Sequence, residues 1–120
     1  FRYPYLEVIA ELPAGKLEKG EDPFESGKRE LEEETGCVAE TYRDIGKFYP
    51  TPGYCGEIIH LYAAKDLTFT KQNLDEDEFL NVERIPLDKA VELVLNNELR
   101  DGKTQAAVLK VKLLRDKGLW

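Results

Sequence analysis

The sequence is poor in several residues that announce a function class. Its 120 positions hold no methionine, one histidine, one tryptophan and two cysteines. Cys37 and Cys55 show neither metal-ligand spacing nor a disulfide framework, and read as free thiols in a reducing compartment. His60 sits in an apolar run and reads as a packed core histidine. No apolar run approaches the length of a membrane span. Positive charge is in deficit, 17 Lys and Arg against 24 Asp and Glu, and the net charge of −7 argues against a general binder of nucleic acid or anionic membrane. Repeats, linkers and low-complexity tracts are not evident. The opening FRYPYLEV lacks the layout of a signal peptide, so a cytoplasmic protein is expected. A complete reading frame begins with Met, so further residues before Phe1 are expected as well.

What remains is an ordinary soluble composition, 34% charged and 42% hydrophobic, expected to fold as one domain over 1–120. Its most informative stretch runs from Gly15 to Cys37, GKLEKGEDPFESGKRELEEETGC. Asp22 is placed to cap a helix that starts at Pro23 and stops at Gly36. At about 100° per residue, Phe24, Gly27, Lys28, Leu31 and Thr35 share one stripe, and Glu30, Glu33 and Glu34 share an arc beside it. Like charges at i,i+4, such as Glu30 and Glu34, destabilise a helix by about 0.2–0.5 kcal/mol per pair. Such a cluster asks for a compensating cation. A solvated acidic helix is the bland explanation of so many glutamates.

The spacing speaks against it. The stretch fits G-x5-E-x7-R-E-U-x-E-E-x-G-U, with U a bulky apolar residue, at Gly15, Glu21, Arg29, Glu30, Leu31, Glu33, Glu34 and Gly36. Cys37 takes the last apolar place. This pattern resembles the signature box of the Nudix hydrolases. The resemblance implies Mg²⁺-dependent hydrolysis of a nucleoside diphosphate linked to a further group.

Around the box, alternation and breakers outline the remainder. Strands are expected over Glu7–Leu12, Asp44–Tyr49, Glu57–Ala64 and Phe79–Ile85. Pro50-Thr51-Pro52-Gly53 reads as a rigid loop and 66–78 as a long polar one. Pro86 opens a helix to about Asn97, with Leu87, Ala90, Val91, Val94 and Leu95 on one face. Asp101-Gly102 reads as a break, and a last helix runs over Thr104–Lys117 with Ala107, Leu109, Val111, Leu113 and Leu114 available for packing. Strands mixed with three helices give the α+β class. The resemblance implies an α/β/α sandwich with a mixed β-sheet between helices.

The words ELPAGKLEKGEDP, YPTPG and LDEDEF, and Pro52 fifteen residues after Cys37, resemble the ADP-ribose pyrophosphatase subfamily. That implies cleavage of ADP-ribose to AMP and ribose 5-phosphate by a homodimer. Mg²⁺ prefers oxygen ligands in an octahedron. Glu30 and Glu34, one turn apart, are the first candidates to hold it, with Glu33 next; Mn²⁺ is the alternative ion. By resemblance, the backbone carbonyl of Ala14 and the Glu78 carboxylate add ligands, Glu76 supplies the base, and Arg29 orients the box glutamates, with Glu21 bracing the loop. Arg2, Pro52, Gly53 and Glu57 are the expected substrate contacts, and Tyr49 and Tyr54 are candidates for the ribose side. Gly27, inside a helix, has no account from the sequence.

Two further functions stay open. One is a pyrophosphatase for another nucleotide, such as a dinucleoside polyphosphate, NADH or FAD. The other is a non-catalytic ADP-ribose-binding module, though such silent relatives usually lose a box glutamate and none is lost here.

Overall fold

The computed structural model describes residues 20–70 and 82–120, in the order α1 (Pro23–Thr35), β1 (Cys37–Phe48), β2 (Ile59–Phe69), α2 (Leu87–Leu95) and α3 (Gly102–Asp116). Helices and strands are mixed, as the α+β class requires. The described residues fall into two compact units, one of residues 20–47, 60–70 and 82–83, the other of Phe48–Ile59 and Arg84–Trp120.

In the first unit, β1 and β2 pair as an antiparallel two-stranded sheet. The pairing is read from Thr70 donating to the Gly36 carbonyl at one end and Thr41 Oγ1 bonding Asp66 Oδ2 (3.3 Å) further along. Both strands are longer than expected. β1 begins at Cys37 rather than Asp44, because its inward row runs Cys37, Ala39, Thr41, Arg43, Ile45. Two polar residues in that row hide the alternation. β2 runs on to Phe69 instead of ending at Ala64, and Asp66 is absorbed with φ 59° as a local kink in the strand rather than the start of a loop. At its other end Glu57 and Ile58 precede the strand and are exposed. Cys37, Ile45, Leu61 and Ala63 are buried. The alternate face carries Tyr42 and Tyr62, which meet Phe24 of α1 at centroid distances of 5.5 and 5.4 Å.

In the second unit α2 packs on α3 around Ala90, Val94, Leu99 and Val108. Leu99 replaces Leu95, which is 74% exposed, and Val108 replaces Leu113, which is 58% exposed. The end of α2 explains the first exchange. Asn97 sits in the left-handed region at φ 61°, with its N–H on the Val94 carbonyl and the Glu98 N–H on the Leu93 carbonyl. This two-bond C-terminal motif reverses the chain and turns Leu99 inward.

Asp101-Gly102 does not break the chain; it starts α3. Asp101 Oδ2 accepts from the Thr104 N–H (3.0 Å) and the Thr104 hydroxyl (2.7 Å), and Lys103 Nζ lies 3.0 Å away. The strand expected over Phe79–Ile85 is not found in its described part, Val82–Ile85, which is irregular and exposed. Glu7–Leu12 lies outside the described residues.

The N-cap of α3 yields a prediction. Burial pushes the Asp101 carboxyl up, but the bonds from Thr104 and Lys103 outweigh it and hold the group below the usual Asp range. A lowered folded-state value contributes stability above the ordinary Asp range, and this is lost as pH falls through the folded value. Asp101→Ala should therefore cost about 1 kcal/mol at neutral pH. Denaturant midpoints of the two proteins should converge in acid; a difference independent of pH would refute the assignment.

Candidate active site

Helix α1 begins and ends where its local chemistry dictates. Asp22 accepts from the N–H groups of Phe24 (3.1 Å) and Glu25 (3.2 Å), and Pro23 fills the first turn, where no N–H is needed. Gly36 closes the helix in the left-handed region at φ 71°, its N–H on the Glu32 carbonyl at 2.8 Å. The Gly36 carbonyl then accepts from the Thr70 hydroxyl at 2.9 Å, which ties the end of α1 to the end of β2.

Between these ends lies one guanidinium shared by three carboxylates. Arg29 Nε and Nη2 donate to the two oxygens of Glu21 at 2.9 and 3.0 Å. Its Nη1 reaches Glu30 Oε1 at 2.9 Å and Glu33 Oε2 at 3.1 Å. The hydrogen bonds to Glu21, with the charges of Glu30, Glu21 and Glu33, raise the arginine far above its ordinary value against the opposing effect of burial. It is a permanent cation. Glu34, one turn beyond Glu30, is buried at 7% exposure, and among the described residues no buried side-chain nitrogen or oxygen lacks a hydrogen-bond partner.

The box residues Glu21, Arg29, Glu30 and Glu33 are thus brought together, with Glu34 on the same helix. Among the described residues no three His, Cys, Asp or Glu side chains form a ready metal site. The donor chemistry nevertheless suits a hard divalent ion, since Glu30 and Glu33 already converge on a single positive nitrogen through carboxylate oxygens. Pro52, Gly53 and Glu57 lie in the other unit, in an exposed segment where the Tyr54 and Cys55 N–H groups close a turn on the Thr51 carbonyl. Tyr54 is 96% exposed there. Arg2, Ala14, Glu76 and Glu78 lie outside the described residues.

Two residues gain weight that the sequence does not show. Glu21 is the main partner of Arg29, with its place in the box as the only advance signal. Gly27 has a partner in Tyr62, 35 positions away: a Cβ at residue 27 would stand 3.2 Å from Tyr62 Cδ2.

An α+β frame presenting an arginine-braced row of glutamates on a capped helix defines the class. The chain belongs to the NUDIX domain family, whose model matches residues 2–108. It is 45% identical over 115 residues to an ADP-ribose pyrophosphatase of Bacillus subtilis, covering 94% of this chain and 62% of that protein. It is 46% identical over 116 residues to a methanol dehydrogenase activator of Bacillus methanolicus, with the same coverage of 94% and 62%. A GDP-mannose pyrophosphatase of Yersinia enterocolitica is 33% identical over 100 residues, 81% of this chain and 52% of that one. Among solved structures, that of an ADP compounds hydrolase superposes with a TM-score of 0.72 at 27% identity, over 87% of this chain and 57% of that one. The chain thus spans a little over half to three fifths of the length of these relatives.

The brace makes a prediction of its own. Lysine cannot form the paired bonds that fix Glu21 and also reach Glu30 and Glu33. In Arg29→Lys the carboxylates should lose their common orientation, and the Mg²⁺ concentration giving half-maximal thermal protection should rise several-fold. An unchanged Mg²⁺ titration would show that Arg29 does not order them.

Proposed function

We propose that the intact protein is a pyrophosphohydrolase that cleaves ADP-ribose, or a similar nucleoside diphosphate sugar, to AMP and ribose 5-phosphate in the presence of Mg²⁺, with Mn²⁺ as a substitute. The observation that carries this reading is the Arg29-clasped glutamate set on α1, in a chain 45% identical to an ADP-ribose pyrophosphatase. The chemistry a hard divalent ion supplies in such a site is polarisation of the phosphoryl oxygens and acidification of a water. Glu30 and Glu34 are the residues proposed to hold it, with Glu33, the Ala14 carbonyl and Glu78 as further ligands. Arg29 keeps the glutamates aligned and stays charged throughout. Glu76 is proposed to take the proton of the attacking water, because the helix carboxylates have their lone pairs committed to cations. Arg2, Pro52, Gly53 and Glu57 are proposed to contact the substrate. The same proposal comprises a single NUDIX domain over 1–120, a cytoplasmic location and a homodimer.

A second reading is favoured by the similarity to the Yersinia GDP-mannose pyrophosphatase. In it the substrate is a guanine-containing diphosphate sugar and the same helix does the chemistry.

A panel of ADP-ribose, GDP-mannose, NADH, FAD and dinucleoside polyphosphates, assayed with and without Mg²⁺ on the intact protein, separates these readings. ADP-ribose should give the highest kcat/KM, and no turnover should occur after chelation. Glu34→Gln is nearly isosteric and should leave the far-UV circular dichroism unchanged while lowering kcat by about a hundredfold or more. Near-normal turnover of that variant at limiting Mg²⁺ would remove Glu34 from the site.

A further inference from the structure

We infer that Tyr62 is a positioning residue: its ring, seated in the notch left by Gly27, fixes where helix α1, and with it Glu30, lies on the sheet. The ring lies close enough to the helix backbone that a Cβ on residue 27 would stand 3.2 Å from Cδ2 and 3.5 Å from Cε2. Only a residue without a side chain admits the ring at this distance with no readjustment. The ring is also engaged by an aromatic cluster that joins the helix to both strands. It meets Phe24 edge-on at 5.4 Å, Phe24 meets Tyr42 at 5.5 Å and 90°, and Lys28 Nζ lies 5.3 and 5.6 Å from the Phe24 and Tyr42 centroids. Burial, with the charges of Asp44 and Asp22, raises the Tyr62 phenol above its ordinary value, so the ring carries no charge at neutral pH.

Helix α1 is therefore held toward both of its ends. Its C-terminal end is tied at Gly36 by Thr70, and its N-terminal half rests on Tyr62 at Gly27. At 1.5 Å per residue these points are about 14 Å apart, with Glu30 about 9 Å and Glu34 about 3 Å from the tether. A helix pivoting on Gly36 by about 1 Å at Gly27 carries Glu30 by about 0.7 Å and Glu34 by about 0.2 Å. The two carboxylates would no longer keep their relation to one ion, which Mg²⁺ tolerates poorly. A misplacement of about 1 Å far from the chemistry can cost about a hundredfold in rate.

This role rests on the metal reading given under Proposed function, so the test carries one measurement that needs no metal. Amide hydrogen exchange of α1 reports the seat, and Mn²⁺ affinity by electron paramagnetic resonance reports its consequence. Tyr62→Phe keeps the ring and should keep both at wild-type values. Tyr62→Ala should speed exchange around Gly27 while leaving the Gly36 end slow, and weaken Mn²⁺ binding about tenfold or more, as loss of outer-shell support does. Gly27→Leu in the Tyr62→Ala background refills the notch from the helix side and should restore both. Unchanged exchange in Tyr62→Ala overturns the seat. Faster exchange with unchanged Mn²⁺ affinity overturns the positioning role. A wild-type protein that takes up no Mn²⁺ sinks the metal reading, and is recognised as such because the exchange pattern still reports the seat.

Discussion

The paired hydrogen bonds from Arg29 to Glu21 are the interaction on which the site depends. A guanidinium is planar, and two of its donors locked onto one carboxylate fix the direction of the others. Nη1 then has one place to be, and Glu30 and Glu33 are both drawn to it. The loop before the helix and the helix itself are thereby tied through a single side chain. A lysine would satisfy the same charge and fix none of the geometry.

That brace is useful only if the helix is itself held, and the surrounding devices do this from both ends. Asp22 and Pro23 set the start, Gly36 sets the stop, and Thr70 binds the stop to the neighbouring strand. Glu34 is buried among these fixtures. Burying a carboxylate costs several kcal/mol unless its oxygens are satisfied, and the described residues leave no buried side-chain oxygen without a partner. A buried, satisfied carboxylate on a helix capped at both ends has few positions open to it.

How much of this was legible follows from how local each signal is. The bounds of α1 are visible almost to the residue because Asp22, Pro23 and Gly36 act on backbone groups within four positions of themselves. The box spacing carries the family for the same reason. Asp101-Gly102 is ambiguous in the sequence because an aspartate before a glycine is the same dipeptide whether it ends a segment or caps the next one; only Thr104, folded back onto Asp101, decides. The extent of β1 was hidden by Thr41 and Arg43 on its inward row, since pairing with β2, not composition, holds that segment extended. The apolar faces of α2 and α3 have the expected period, but Leu95 and Leu113 are exposed; at α2 the turn at Asn97 brings Leu99 inside in place of Leu95. Gly27 could not be read at all, its reason being a ring on another element.

The sign of the site has a further physical root in the helix that carries it. The backbone dipole of α1 places partial negative charge at its C-terminal end, where Glu33 and Glu34 stand and where the last turn holds no basic residue. Anions at that end are disfavoured, on top of the repulsion between glutamates one turn apart, and Arg29 offsets part of this at Glu30 and Glu33. Both effects act in one direction: they raise the free energy of the ion-free helix, and a cation at the carboxylates offsets them. A phosphate group would meet the same field as a repulsive one. In a chain with a net charge of −7, these carboxylates repel a phosphate group and attract a cation, so the arrangement that makes α1 locally unfavourable also sets the sign of the ligand it favours.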